Sequence, residues 1–207
     1  MGIIAIVDYG TGNAGSIRNM LSRIGVSAVI TAEPVDLIHA DRLILPGVGA
    51  FDNAIENLQS RGLVSVLTDI AMHQRKPVLG ICLGMQIMTR RSAEGTLPGL
   101  AWVPAETRRF HFDGAFQSLR VPHMGWNAVV PTKPNPLWAN PPDTARFYFV
   151  HSFHVCCDSA ADVAATTDYG GAFTSAFACR NLYGVQFHPE KSHRCGMALL
   201  KRFSEIS

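Results

Sequence analysis

One cysteine of the chain stands between two evenly spaced glycines, in the order Gly80-Ile81-Cys82-Leu83-Gly84. Glycines two residues before and after a side chain let the backbone turn sharply from a strand into a helix, which exposes that side chain at the turn. The amides of a helix N-terminus favour a thiolate, and the N–H of the following residue can bind an oxyanion. The pattern predicts a nucleophile at Cys82; the alternative is a buried structural cysteine.

A nucleophilic thiol needs a base, and the sequence offers one at the end of a later apolar run, in His188-Pro189-Glu190. In an extended segment His188 and Glu190 project to the same side, so the carboxylate can accept a hydrogen bond from one ring nitrogen. The other ring nitrogen is then free to face Cys82. Taken singly, the two residues also suit a backbone-bonded histidine and a solvated carboxylate. Together with Cys82 they predict a catalytic Cys-His-Glu group.

A glycine-rich stretch near the N-terminus suggests a competing function. The glycines at positions 10, 12 and 15 follow an apolar run, and Glu33 comes about 20 residues later, which is the spacing of a dinucleotide-binding turn. However, Asp8 and Tyr9 separate the apolar run from the first glycine and disrupt the tight turn that a pyrophosphate needs. We therefore expect no nicotinamide or flavin cofactor.

Potential metal ligands are dense between residues 151 and 157. In one continuous strand, His151 and His154 would point to opposite faces, as would the neighbouring Cys156 and Cys157. Their spacing also differs from that of a closed zinc site. We expect these side chains to serve packing, with no bound metal.

The elements that must position these residues follow a strand-helix alternation over residues 1–91. Short apolar runs predict strands, and apolar residues three and four apart predict helices between them. The strands are expected at 3–7, 26–30, 43–45 and 78–81, and the helices at about 17–24, 50–60, 63–74 and from residue 83. Such alternation gives a parallel, doubly wound sheet.

After residue 96 the sequence turns to strands punctuated by prolines. Strands are expected at 119–121, 146–155, 163–167, 174–178 and 183–187, and a last helix at 195–205. The predicted fold class is therefore α/β, with an open, mostly parallel doubly wound sheet and added antiparallel strands.

Composition excludes several classes of protein. Apolar residues make up 47% of the chain and charged residues 16%, below the roughly 25% typical of soluble domains, so we expect a large core. A net charge of +2 without runs of like charge argues against nucleic-acid and membrane-surface binding. Neither a signal peptide nor a membrane span is recognisable, and five cysteines form no disulfide pattern. We expect one cytoplasmic domain over 1–207.

Six stretches of the sequence resemble the class I glutamine amidotransferases, a family with a Cys-His-Glu triad. They lie at residues 8–13, 45–51, 80–86, 122–127, 148–152 and 184–192 and so extend over nearly the whole chain. The resemblance implies an open α/β sheet. It also implies Cys82 as the nucleophile, His188 as the general base and then acid, and Glu190 as the residue that orients His188.

The resemblance further implies how glutamine is held, without a cofactor or a metal. The residues it implies are Gly47, Val48 and Leu83 for the oxyanion hole, and Gln86, Ser152 and Phe153 for the two ends of the substrate.

Because 207 residues leave no room for a second catalytic domain, we expect the released ammonia to pass to another chain. Within the family the sequence is similar to the glutaminases of histidine biosynthesis, which implies a (β/α)8-barrel cyclase as the partner in a heterodimer. The candidate interface residues are Asn13, Trp126 and Lys191. Two alternatives stay open: a paralogous glutaminase that feeds sugar amidation in surface-polysaccharide synthesis, and a cysteine hydrolase or peptidase of related fold.

We predict that a glutamine analogue carrying an electrophile will label Cys82 and spare the other four cysteines. Cys82 alone combines the turn, a helix N-terminus and a His-Glu pair, and the thiolate fraction controls reactivity. Peptide mass mapping checks this, with the unlabelled chain as control. A label found mainly on Cys156, Cys157, Cys179 or Cys195 would contradict the assignment.

Overall fold

The computed structural model describes residues 2–138 and 145–206, and its first half follows the predicted alternation. The elements are β1 (Ile4–Val7), α1 (Ala14–Arg23), β2 (Ala28–Thr31), α2 (Pro34–His39), β3 (Arg42–Gly47), α3 (Phe51–Ser60), α4 (Leu63–Thr68), β4 (Val78–Cys82) and α5 (Leu83–Ile87). A π-helical turn, Asp69–His73, follows α4.

The second half is built mainly of strands. They are β5 (Ala105–Arg109), β6 (His123–Ala128), β7 (Val130–Pro131), β8 (Arg146–His151), β9 (Phe153–Cys157), β10 (Val163–Asp168), β11 (Ala172–Cys179) and β12 (Leu182–Val185). The 3-10 turn Pro189–Lys191 and helix α6 (His193–Phe203) follow β12.

The predicted fold class is confirmed. The strands β2-β1-β3-β4-β12 form a parallel sheet in that order, and β11, β10 and β7 extend it with antiparallel pairing. β9 pairs with β11 and with β5, while β6 and β8 form a separate antiparallel ribbon. β4 and β12 therefore lie side by side, which brings the ends of two distant segments to one edge of the sheet.

Both faces of the central strands β1, β3, β4 and β12 are buried, as their apolar residues require. Side chains of β1 alternate between two apolar clusters: Ala5 and Val7 pack with α3, α4 and α5, whereas Ile4 and Ile6 pack with α1 and α6. This sandwich holds the carboxyl ends of the strands in fixed positions. None of the helices in the described part of the chain combines the length and the apolar character that a membrane span requires.

Two predicted strands were wrong. Residues 119–121 form no strand; they precede β6, whose Gly125 and Asn127 give it a weak strand pattern, so the sequence placed the strand too early. Residues 146–155 are not continuous, because Ser152 separates β8 from β9 and its carbonyl accepts from Phe110 N at 3.1 Å. β5, with its charged residues, gave no apolar signal and was missed.

Helix boundaries differ from the predictions by smaller amounts. The segment predicted as one helix over 63–74 is α4 followed by the π-helical turn, and the last helix lies at His193–Phe203 instead of 195–205. Helix α2 was not predicted, although Pro34 stands at its first turn, where proline is well tolerated. Helix ends are weakly encoded because capping contacts depend on neighbouring segments.

Candidate active site

Cys82 lies where β4 ends and α5 begins, with φ +54° and ψ −112°. A positive φ is rare for a residue with a side chain and costs on the order of 1–3 kcal/mol, so the surroundings must enforce it. The predicted sharp turn at Cys82 is thus present in the structure.

The two flanking glycines are required by close backbone packing. A Cβ on Gly80 would lie 2.7 Å from the carbonyl oxygen of Gly84, and a Cβ on Gly84 would lie 1.8 Å from that of Leu45. A larger residue at position 84 would push the turn away from β3, and one at position 80 would push the start of α5 away from β4. Leu83 is the first residue of α5, where backbone N–H groups have no partner within the helix.

His188 and Glu190 form a buried pair beside this turn. Nδ1 of His188 lies 2.9 Å from Oε1 of Glu190, and their side chains are 2% and 1% exposed. The backbone of His188 is fixed by Tyr148 and Ser192: its N–H donates to the Tyr148 carbonyl, and its carbonyl accepts from the Ser192 hydroxyl at 2.6 Å. Nε2 of His188 is buried without a hydrogen-bond partner among the described residues, and His188 lines the same pocket as Cys82.

The pKa of His188 reflects opposing influences. Burial lowers it, but the neighbouring Cys82 and Glu190 outweigh burial and raise the pKa of His188 to about 10. The ring therefore carries its proton at neutral pH. A protonated imidazole can stabilise a thiolate on a neighbouring cysteine and can later donate its proton.

Gln186 is a polar neighbour of Cys82 that was not among the predicted site residues. Its Nε2 donates to Sγ of Cys82 at 3.7 Å, and its Oε1 accepts from Nε2 of Gln86 at 3.0 Å. Gln86 also donates to the carbonyl of Phe153 at 3.1 Å. The only sequence signal for Gln186 was a polar residue inside an otherwise apolar strand end.

A pocket of about 330 Å³ lies over Cys82 and His188. It brings together many of the predicted residues: Val48, Cys82, Leu83, Gln86, Ser152, Phe153 and His188. Gly47 is not among its lining residues but pairs with Cys82 across β3 and β4. Glu190 lies behind His188.

Glu94 also lines this pocket and was not predicted. Among the lining residues that the structure describes, it carries the only carboxylate. Oε2 of Glu94 accepts from the N–H of Phe51 at 3.0 Å, and burial raises the pKa of Glu94. No sequence pattern pointed to it, because it lies in an irregular segment after α5.

The glycine-rich N-terminal stretch packs against the end of β3. The Tyr9 hydroxyl donates to the Pro46 carbonyl at 2.5 Å, and Tyr9 is fully buried, which raises its pKa. Gly12 has φ +95°, and a Cβ there would lie 2.8 Å from Cβ of Pro46. Gly12 is thus used for close packing on the Pro46-Gly47 turn.

The candidate interface residues lie outside the pocket. Trp126 is 40% exposed and stacks on His193 with ring centroids 5.4 Å apart, so it is not a core tryptophan. Nζ of Lys191 lies 5.6 Å from the Tyr148 ring centroid, and Trp126 meets the same ring edge-on. Asn13 precedes α1 and is half-buried.

The parity argument for the histidines was wrong. His151 and His154 both contact the Phe110 ring, at 5.2 and 4.7 Å between centroids, because the break at Ser152 resets the alternation of side chains. Within residues 2–138 and 145–206, no three His, Cys, Asp or Glu side chains come together as a metal site.

A family model and structures of similar fold give the class of protein to which the chain belongs. A family model described as glutamine amidotransferase class-I matches residues 5–205, and the chain belongs to this family. Solved structures of similar fold include a glutamine amidotransferase with TM-score 0.75, 16% identity and coverage of 99% of this chain and 98% of that one. Another is a glutamine amidotransferase from Thermotoga maritima with TM-score 0.63, 18% identity and coverage of 98% and 80%.

Curated relatives narrow the family further. Imidazole glycerol phosphate synthase subunit HisH 2 of Methanococcus maripaludis is 47% identical, over 97% of this chain and 98% of the relative. HisH 2 of Pseudomonas aeruginosa is 45% identical and HisH of Bdellovibrio bacteriovorus 46%, each over 99% of this chain and the whole relative. The sugar-amidation and peptidase alternatives are not favoured by these relatives.

We predict that His188 stays protonated well above pH 7 and that Cys82→Ala lowers its pKa by at least about one unit. Cys82 raises the pKa of His188 through hydrogen bonding and electrostatic interaction, and one such neighbour typically shifts a pKa by about 1–3 units. Because the folded pKa is raised, this histidine's stabilisation is fully present below about pH 6.5 and is lost as the pH rises through about 10. Histidine NMR titration measures the pKa, and Cys195→Ala is the matched control. An unchanged pKa in Cys82→Ala would show that Cys82 does not act on His188.

Proposed function

We propose that the chain is the glutaminase subunit of imidazole glycerol phosphate synthase in histidine biosynthesis. It hydrolyses glutamine to glutamate and ammonia, and the ammonia passes to a cyclase subunit. The observation that carries this proposal is the 45–47% identity, over nearly full length, to relatives named as HisH subunits. The pocket over Cys82 and the His188-Glu190 pair supply the chemistry that such a subunit needs.

The proposed reaction begins with the Cys82 thiolate attacking the carboxamide carbon of glutamine. The developing oxyanion is held by the N–H of Leu83 and by a backbone N–H of the Gly47–Val48 segment. His188 donates its proton to the departing nitrogen, which leaves as ammonia, and a thioester remains on Cys82. His188 then takes a proton from water, whose oxygen attacks the thioester and releases glutamate. Glu190 keeps the ring in place throughout.

Glu94 gives the pocket a place for the α-amino group of glutamine. A carboxylate in the wall of the pocket attracts an ammonium group, and the hydrogen bond that Phe51 N–H donates at 3.0 Å holds this carboxylate in position. The backbone N–H groups at Ser152 and Phe153, which line the same pocket, suit the α-carboxylate. Gln86 donates both amide hydrogens to Phe153 and Gln186, so its Oε1 suits the α-amino group as a second acceptor. The two ends of the substrate would thereby fix its carboxamide over Cys82.

The partner is proposed to be a (β/α)8-barrel cyclase seated near Trp126 and Lys191. Both side chains are exposed yet ordered by aromatic contacts, with Lys191 over Tyr148 and Trp126 on His193. Asn13 lies at the start of α1, next to the loop that packs on the Pro46-Gly47 turn. We place the reaction in the cytoplasm. The proposed catalytic domain comprises residues 1–207; Met1, residues 139–144 and Ser207 lie outside the described residues.

Turnover is expected to depend on the partner. The Pro46–Gly49 segment ends in Gly49 with φ +103°, and a peptide flip there would add or remove one oxyanion donor. Loss of one such donor costs about 10²- to 10³-fold in rate. A partner that favours one orientation could therefore switch hydrolysis over this range.

We predict that Glu94→Gln raises KM for glutamine about tenfold or more, with a smaller change in kcat, since a charged hydrogen bond to the substrate is lost. The amide oxygen introduced at position 94 can still accept a hydrogen bond from Phe51 N, so the fold is preserved. Glu106→Gln, which removes a carboxylate bonded to Arg91 away from the pocket, is the matched control. An unchanged KM in Glu94→Gln would exclude this role.

We predict slow glutamate production by the chain alone, more with the cognate cyclase, and most with cyclase plus the cyclase's acceptor ligand. From the chain alone to the full complex with ligand, the rate of glutamate production is expected to rise about 10²-fold, which is the rate effect of one oxyanion donor. Equal rates in the three assays would refute the gating while leaving the Cys82 chemistry in place. Absence of glutamate in all three assays would refute the proposed function. Rescue of a histidine-requiring strain that lacks its own glutaminase tests whether the ammonia is delivered to the histidine pathway.

A further inference from the structure

A chain of hydrogen bonds runs from the glutamine pocket into ribbon β6–β8. Nδ1 of His151 lies 2.8 Å from the carbonyl oxygen of Phe153, and Nε2 of His151 lies 3.0 Å from Nδ1 of His123. Nε2 of His123 in turn lies 3.3 Å from Nδ2 of Asn127, which also donates to the Asp168 carbonyl at 2.9 Å. The proposed chemistry at Cys82 uses none of these side chains directly.

The two ends of the chain fix the direction of every bond in it. A carbonyl oxygen only accepts, so Nδ1 of His151 must carry the proton that faces Phe153. Nε2 of a neutral His151 is then an acceptor, and Nδ1 of His123 must donate to it. The same reasoning makes Nε2 of His123 the acceptor for Asn127, whose amide orientation is set by the Asp168 carbonyl.

The chain of hydrogen bonds requires both histidines to be neutral. A proton added to His151 Nε2 would face the N–H of His123, and two donors cannot form a hydrogen bond. Burial lowers the pKa of His123 to about 4 and that of His151 to about 3, so both rings stay neutral at physiological pH. Their surroundings are aromatic: Phe149 and Tyr169 lie 4.8 and 4.1 Å from the His123 ring.

The pocket end of the chain is the bend at Ser152. The Phe153 carbonyl accepts both from His151 and from Gln86, so one oxygen joins the chain to the residue expected to hold glutamine. Gln86 continues through Gln186 to Cys82. The orientation of the peptides that flank Ser152, which line the pocket, is therefore tied to His151.

We propose that His123 and His151 are positioning residues that hold the Ser152–Phe153 wall of the pocket in its glutamine-binding geometry. This inference rests on the proposed function and deepens it. His151 holds the bend at Ser152 through its hydrogen bond to the Phe153 carbonyl. His123 fixes the tautomer and ring orientation of His151. Asn127 fixes His123 in the same way, which anchors the chain on the Asp168 backbone.

Removal of His123 should therefore act on substrate binding through His151. In His123→Phe an aromatic ring still fills the aromatic cluster, but the buried Nε2 of His151 loses its donor. A buried acceptor left without a partner is costly, so the His151 ring is expected to change tautomer or orientation and release the bend. In His123→Asn the side-chain amide nitrogen takes nearly the position of the imidazole Nδ1 and should restore the donor to Nε2 of His151.

The test compares variants in the complete complex of the chain with its cognate cyclase. We expect His123→Phe to raise KM for glutamine about tenfold, the effect of one buried hydrogen bond, with kcat changed less than about threefold. His123→Asn should recover most of the lost affinity. Tyr169→Phe is the matched control. It removes a hydroxyl of the same aromatic cluster, bonded to the Arg120 carbonyl, but leaves the chain of hydrogen bonds intact.

Histidine NMR gives an independent readout that general loss of packing does not produce. The wild-type chain should show His151 protonated at Nδ1 alone, and His123→Phe should show loss of that single tautomer. His151→Phe provides a second variant, and the double variant with His123→Phe should be hardly worse than either single one, because both act through one chain.

Wild-type KM in His123→Phe and His151→Phe would overturn the proposal. So would an equal rise of KM in Tyr169→Phe, which would assign the effect to packing. A retained single tautomer in His123→Phe would overturn the role of His123 in fixing His151. A wild-type complex that releases no glutamate would instead refute the proposed function, so the two failures are distinguishable.

Discussion

The approach of the Cys82 turn to the end of strand β3 is the constraint on which the site depends. Gly84 lies against the Leu45 carbonyl so closely that no side chain fits between them, and Gly47 lies against the Gly84 amide in the same way. This contact holds Cys82 at a positive φ, with its thiol turned toward the pocket. It also places the Gly47–Val48 segment beside the first amides of α5, where an oxyanion would be stabilised.

Burial gives the charges of this site their strength. The His188–Glu190 pair is almost fully removed from solvent, and in such surroundings each interaction between charged groups is stronger than in water. The same burial would disfavour an isolated charge on His188. The ring can carry its proton because Glu190 lies on one side and Cys82 on the other. The proposed base and the proposed nucleophile depend on each other, and the parallel pairing of β4 and β12 brings their two segments together.

Polar side chains also join the antiparallel half of the molecule to the parallel half. Gln186 and Gln86 link Cys82 to the Phe153 carbonyl, and the neutral histidines continue from there to β6. Buried polar groups are costly unless they are satisfied, so a fully paired chain is a rigid connection. The outward face of β6 carries Met124 and Trp126, both exposed. β6 therefore carries exposed apolar side chains on one side and is connected through His123 and His151 to the wall of the pocket on the other.

The sequence by itself determined the parallel half of the sheet, the turn at Cys82 and the side-by-side placement of His188 and Glu190. Each of these depends on residues close in the chain: apolar periodicity, glycines two positions from a cysteine, and the alternation of side chains in an extended segment. Only the tertiary structure placed Glu94 in the pocket, Gln186 beside Cys82 and His123 beside His151. The break at Ser152 was likewise decided by the tertiary structure. Gln186 contacts Cys82 across 104 residues, and Phe110 fixes Ser152 from another segment. Local periodicity carries no information about such contacts, because they arise from strand pairing and from which polar groups remain to be satisfied after the core has formed.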